Sequence, residues 1–220
     1  METSGIRTAG TLADGMVEIT SDEELTELLG GPPTARAAGK VRTRLAEQDR
    51  QWLAQSPFCV ISTAGADGSC DGSPKGDPAG FTLVLDDTTV VVPERPGNRR
   101  ADGFRNVLVN PHVGLLYLIP GRGDSLRVNG RARLLKDAPF FDRLAVKGHR
   151  PRVALLVEIE EVFFHCSKAF LRSGLWKPET WDPGAVPSRA RIAQALEPTG
   201  QTLEELERYY GPQYADHLYD

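Results

Sequence analysis

Residues 125–135 read SLRVNGRARLL, and their alternation decides the fold class. Leu126, Val128, Ala132 and Leu134 fall on one side of an extended chain and Arg127, Asn129, Arg131 and Arg133 on the other, because successive side chains of a strand point to opposite faces. This is a half-buried antiparallel strand. On either side of it, 113–119 and 153–163 are also rich in Val, Ile, Leu and Phe, as are 58–63, 81–85 and 88–93 upstream, so six strands are expected. Asp86 and Asp87 form a tight turn between two of them, the mark of a hairpin. Most strands follow one another without a regular crossover helix. A doubly wound parallel sheet is therefore disfavoured, and a small meander or Greek-key barrel is expected, interrupted by short helices at 102–109 and 139–146.

Upstream of the barrel, 1–20 carries no periodic pattern and is expected to be a flexible tail. Ser21 and Glu24 fit a capping box ahead of a helix over 22–29, which the run Gly30-Gly31-Pro32-Pro33 stops. Val41, Leu45 and Trp52 share one stripe of a second helix that ends before Ser56-Pro57. Downstream, Ser167 caps a helical turn that Gly174 ends, and two tail helices follow Ser188 and Thr202, the latter with a Thr202–Glu205 capping box. The expected organisation is a tail (1–20), one barrel domain with N-terminal helices (21–176) and a helical extension (177–220).

The chain carries a formal net charge of −4 and a sequence pI of about 5.7, which argues against a chain-wide nucleic-acid surface. The opening METSGIRTAG lacks the features of a secretory signal, and no apolar run approaches the length needed to cross a bilayer. Cys59, Cys70 and Cys166 form an odd set without CxxC spacing. They are expected to be free thiols in a cytoplasmic protein without membrane or nucleic-acid partners. No P-loop, GxSxG or HExxH pattern is present, and the histidines have no ligand spacing, so no metal is expected.

Four segments bear on function. Ser73-Pro74-Lys75-Gly76-Asp77 sets a cation among tight-turn residues, which a plain loop also explains. Pro93-Glu94-Arg95-Pro96-Gly97-Asn98-Arg99-Arg100 leaves a strand and enters a helix, where unpaired N–H groups and guanidinium forks suit a phosphate. Solvated arginine pairs before a helix are the simpler account. Arg127, Asn129, Arg131 and Arg133 line either solvent or a groove. His165, Lys168, Arg172 and Trp176 surround a strand-to-helix junction, where a core role for Trp176 is the plainer one.

Taken together, SPFCVISTAGADGSCDGSPKGDPAGF (56–81), VVVPERPGNRRADGFRNVLVNPHVGLLYLIPG (90–121), SLRVNGRARLL (125–135) and VFFHCSKAFLRSGLW (162–176) resemble the pyridoxamine 5′-phosphate oxidase-like superfamily of FMN-binding split β-barrels. The likeness is closer to a bacterial branch of FMN-dependent enzymes without a settled substrate. It implies a six-stranded antiparallel split barrel and a homodimer with FMN at the subunit interface. It also implies that Asn98, Arg99 and Arg100 hold the phosphate after Pro93, and that Ser73, Pro74, Lys75, Gly76 and Asp77 lie along the ribityl chain and flavin edge. Arg127 is included among the cofactor contacts; Lys168, Arg172 and Trp176 match a junction that approaches the cofactor, in relatives also from the second subunit. The RxxLLK strand and the RLSPxRxEFW signature of true pyridoxamine phosphate oxidases are missing, so vitamin B6 is not the expected substrate.

The resulting expectation is an FMN-dependent oxidoreductase of a small molecule, with His165 or Lys168 as proton donor if the protein supplies one. The competing class is a non-catalytic module that stores or senses FMN, haem or another planar ligand. Within the enzyme class, the deazaflavin F420 is the alternative to FMN.

Overall fold

The computed structural model describes residues 15–198 and 200–219, in two compact units that divide after Lys40. Most of the tail expected at 1–20 lies outside the described residues. In the first unit, α1 (Asp22–Leu28) is capped by Ser21, whose hydroxyl accepts from the Glu24 N–H at 3.1 Å. Glu24 reaches back to Thr20 N–H instead of closing a capping box on Ser21. Thr34 caps a further turn, α2 (Ala35–Ala38), which has no apolar stripe to announce it.

In the second unit the first helix starts later than its expected stripe. Helix α3 spans Glu47–Gln55, so Val41 and Leu45 precede it and Val41 is exposed. Asp49 sets the start: its carboxylate accepts from Ala46 N–H at 2.7 Å and pairs with the Arg42 guanidinium, while Arg42 makes a β-bridge to Val162. Trp52 and Leu53 are buried as the periodicity requires.

The strands are β1 (Phe58–Ala64), β2 (Cys70–Gly76), β3 (Leu83–Val84), β4 (Thr89–Pro93), β5 (His112–Leu118), β6 (Ser125–Leu135) and β7 (Ala154–His165), with α4 (Asp102–Val109) between β4 and β5. They form one antiparallel sheet in the order β2-β1-β5-β6-β7-β4-β3. Seven strands replace the six expected. The added strand, β2, contains Gly72, Pro74 and Gly76 and reads as a loop; as the sheet edge it tolerates a proline that cannot donate to a ladder. Conversely, 81–85 keeps only Leu83–Val84, because Thr82 turns inward to the Tyr117 hydroxyl at 3.2 Å. The helix expected at 139–146 is a 3-10 turn over Phe141–Leu144.

Among the described residues no ladder joins β2 to β3, so the sheet is curled but not a closed barrel. The two-residue β3 leaves the end of β4 uncovered, and side chains span the gap: Lys75 Nζ lies 2.5 Å from Glu94 Oε2, and Arg95 Nε donates to Asp77 Oδ2 at 2.5 Å. The inner face holds the main core, including Cys59, Leu115, Tyr117, Leu126, Val128, Leu155, Val157 and Val162, with Trp52 and Leu53 from α3 and Val107 from α4. A bulge at Asn129/Gly130 leaves Glu160 unpaired on β7, so that Ile159 and Val162 both face inward. Phe141 and Leu144 pack against Val91, Ala154 and Leu156 in a second cluster.

After β7 come α5 (Lys168–Ser173), α6 (Arg189–Leu196) and α7 (Leu203–Tyr209). Ser188 and Thr202 cap the last two, and the Thr202–Glu205 box is complete. Among the described residues no helix is long and apolar enough to cross a membrane.

The candidate cofactor site

Strand β4 ends at buried Pro93, and the chain crosses to α4 through residues 94–101. Asn98 Oδ1 accepts from Arg100 N–H at 3.0 Å and tightens this connection. Arg99 (φ 62°) and Ala101 (φ 55°) both sit in the left-handed region, a conformation that costs a non-glycine residue about 1–3 kcal/mol and recurs at ligand clamps. The Arg100 guanidinium pairs with Asp102 at 2.7 Å, which raises its pKa, and Arg105 bonds both Asp102 and the Arg100 carbonyl. Arg99 is exposed and has no acidic partner among the described residues.

A cleft of about 340 Å³ opens beside this turn, lined by Ser69, Cys70, Asp71, Arg100, Asp102, Arg105 and Asn106. Helix α4 is held over it by Asn106 Nδ2, which donates to Thr63 Oγ1 at 3.1 Å. At Gly103 a Cβ would stand 2.8 Å from Asp71 Oδ2, the end of a side chain, so a larger residue there would push the Asp71 carboxylate aside. Sequence patterning gave no reason to include Asp71, Arg105 or Asn106, except the Asp102–Arg105 spacing of three.

The five residues Ser73 to Asp77 do not share one surface. Ser73 and Lys75 are half-buried on the inner side of β2, opposite Ile61 and Cys59, whereas Pro74 and Gly76 are exposed opposite Val60 and Phe58. Lys75 also lies 5.0 Å from the Phe104 ring centroid, linking β2 to α4. Asp77 is 2% exposed at its side chain. On the outer face, the ladders set Pro74, Val60, Leu116, Arg127 and Phe163 in one row, and the Arg127 guanidinium covers the Phe163 ring at 5.4 Å.

His165 ends β7 on that outer face, opposite Ser125. Lys168 and Arg172 are exposed on α5. Trp176 stacks on Phe170 at 6.2 Å and donates Nε1–H to the Arg122 carbonyl at 2.7 Å. Within one chain, then, Lys75, Phe104 and the 98–106 segment come together around α4. His165, Lys168, Arg172 and Trp176 belong to the opposite end of β7, beside a cavity of about 450 Å³ walled by Trp52, Phe164, Ile119 and Arg122.

The thiols differ sharply. Burial pushes Cys59 up to about 12 against the pull of Lys75, while Cys70 and Cys166 are exposed. Only a thiolate reacts, so a thiol reagent at neutral pH is expected to label Cys70 and Cys166 and to reach Cys59 only after denaturation. Fast labelling of all three native thiols would contradict this burial.

No curated protein matches the chain. Among solved structures, HupZ of Group A Streptococcus is similar at 15% identity, covering 56% of this chain and 95% of that one, with a TM-score of 0.46. A general stress protein 26-related protein of the pyridoxinephosphate oxidase family from Clostridium acetobutylicum gives 15% identity, 54% and 86% coverage and a TM-score of 0.42. An FMN-binding protein from Syntrophomonas wolfei gives 14%, 53% and 88%, and 0.39. The family model described as pyridoxamine 5′-phosphate oxidase matches residues 45–166, from two residues before α3 to the one after β7. That match spans more than half of the chain, which therefore belongs to the pyridoxamine 5′-phosphate oxidase family.

Proposed function

We propose that the protein is an FMN-dependent oxidoreductase of a small molecule, working as a homodimer with FMN between the copies. The observation that carries this reading is Arg99: among the described residues its guanidinium has no acidic partner, and its backbone is strained in the turn that leads into the α4 cleft, within the family-matched region. The cleft itself is lined by two guanidinium groups (Arg100, Arg105) and two carboxylates (Asp71, Asp102), so Arg99, on the adjoining turn, would supply the excess positive charge that suits a phosphate. Asn98 would hold the turn, and Pro93, Ser73, Lys75, Gly76 and Asp77 would border the rest of the cofactor. FMN, when bound, supplies the hydride-transfer chemistry. The half-buried outer row of Phe58, Val60, Leu116 and Leu118 supports a second copy as its cover.

In that assembly Arg127, Arg172 and Trp176 would shape and dry the pocket, and Lys168 Nζ or the His165 imidazole would hold the proton that the substrate gives up or receives. Arg99→Ala is expected to weaken FMN binding by about 1.5–3 kcal/mol, the value of a hydrogen bond to a charged group, with turnover of the saturated protein nearly intact. Lys168→Ala is expected to keep FMN and slow flavin reduction. Fluorescence titration with FMN, sedimentation and stopped-flow reduction test these outcomes. A monomer that binds FMN tightly, or Arg99→Ala with unchanged affinity, would refute the arrangement.

A further inference from the structure

The C-terminal segment returns to the edge of the sheet. A 3-10 turn over Pro212–His217 delivers Tyr219, whose hydroxyl donates to Asp77 Oδ1 at 2.5 Å. The other oxygen of that carboxylate takes Arg95 Nε, and Arg95 Nη2 donates to the Leu144 carbonyl at 2.7 Å. The Tyr219 ring stacks on His149 at 5.4 Å and 28°. The Arg95 and Lys147 cations each lie 5.7 Å from its centroid. Lys147 (φ 49°) and Gly148 (φ 81°) both adopt the left-handed region, turning the chain so that Lys147 and His149 meet the ring.

These contacts make a notch with a defined chemical preference. Two cations and an imidazole attract the face of a planar ring, and a carboxylate at the far end, closed off from water, demands a donor. Asp77 is already neutralised by Arg95, so the ring's hydroxyl adds a second, charge-assisted hydrogen bond rather than a required counter-charge. The same carboxylate raises the Tyr219 pKa, keeping the phenol protonated as a donor. Residues 212–216 and 218, which carry Tyr219, are all exposed, and the contacts of such a segment open locally without unfolding the sheet.

We infer that Tyr219 is a removable plug: it fills a notch, formed by Asp77, Arg95, Lys147 and His149, that accepts a planar ring carrying an O–H or N–H donor, and its departure opens the Asp77 edge to the flavin ring. The last step rests on the reading of Ser73–Asp77 as the cofactor border; the plug itself does not.

The test uses the full-length chain as wild type, Tyr219→Phe and Tyr219→Ala. Without flavin, hydrogen exchange over 77–82 and 144–150 is expected to accelerate about tenfold in Tyr219→Ala and less in Tyr219→Phe, which keeps the ring. Millimolar 4-methylphenol should restore protection to Tyr219→Ala, and toluene, which lacks the hydroxyl, should not. Unchanged exchange, or no rescue by 4-methylphenol, overturns the plug whether or not FMN binds. With FMN, association followed by flavin fluorescence should be several-fold faster in Tyr219→Ala than in wild type, and equal rates overturn the gating. Failure of all three proteins to bind FMN, with exchange and rescue as expected, overturns the cofactor reading and supports the plug.

Discussion

Gly130→Ala is expected to destabilise the protein severely. A Cβ at this position would lie 2.0 Å from the Glu158 carbonyl oxygen, 3.0 Å from its carbon and 3.2 Å from Ile159 Cα. All three atoms are backbone of β7 at the bulge, so no flexible side chain can yield. Relief requires separating β6 from β7, the pair at the centre of the sheet, where Val128, Val157 and Val162 are completely buried. A destabilisation above about 4 kcal/mol belongs to this class of lesion, and it removes much of the roughly 5–15 kcal/mol by which a domain is stable. Urea denaturation measures it, with Gly72→Ala as control, because a Cβ there meets nothing within 4 Å. A midpoint for Gly130→Ala close to that of the control would refute the packing described for the bulge.

The second large effect is expected at Asp77. Its side chain is 2% exposed and that of Arg95 13%, so Asp77→Ala strands a guanidinium in a site closed to most solvent. Breaking a buried ion pair by removing one partner costs about 3–5 kcal/mol. The lower end is expected here, since Arg95 keeps its bond to the Leu144 carbonyl. Asp77→Ala combined with Arg95→Met should be more stable than Asp77→Ala alone, because no buried charge is then left unpaired. Chemical denaturation of the two variants decides the point; equal stability would mean that Arg95 is solvated once Asp77 is gone. The lesion should also mobilise residues 77–82, since Asp77 N–H donates to the Pro57 carbonyl and Gly80 N–H to the Ser56 carbonyl across this turn.

Sequence by itself determined the features that neighbouring residues settle between them. The alternation of Leu126, Val128 and Ala132 with Arg127, Arg131 and Arg133 survives intact in β6. The caps at Ser21, Ser188 and Thr202 stand where the hydroxyls precede helical runs, and α4 occupies the expected span. Each follows from strand or helix periodicity, or from a hydroxyl reaching an N–H three residues away.

Only the tertiary structure decided the rest. Cys70–Gly76 has the composition of a loop and became a strand because β1 offers it an unpaired edge. The sheet stays open because β3 is too short to cover β4, and the gap is bridged by partners 18 and 19 residues apart, Arg95 with Asp77 and Lys75 with Glu94. Tyr219 reaches Asp77 across a separation of 142 residues. No local pattern encodes such pairs, since their cost in chain entropy is offset only when the whole sheet has already brought the two segments together.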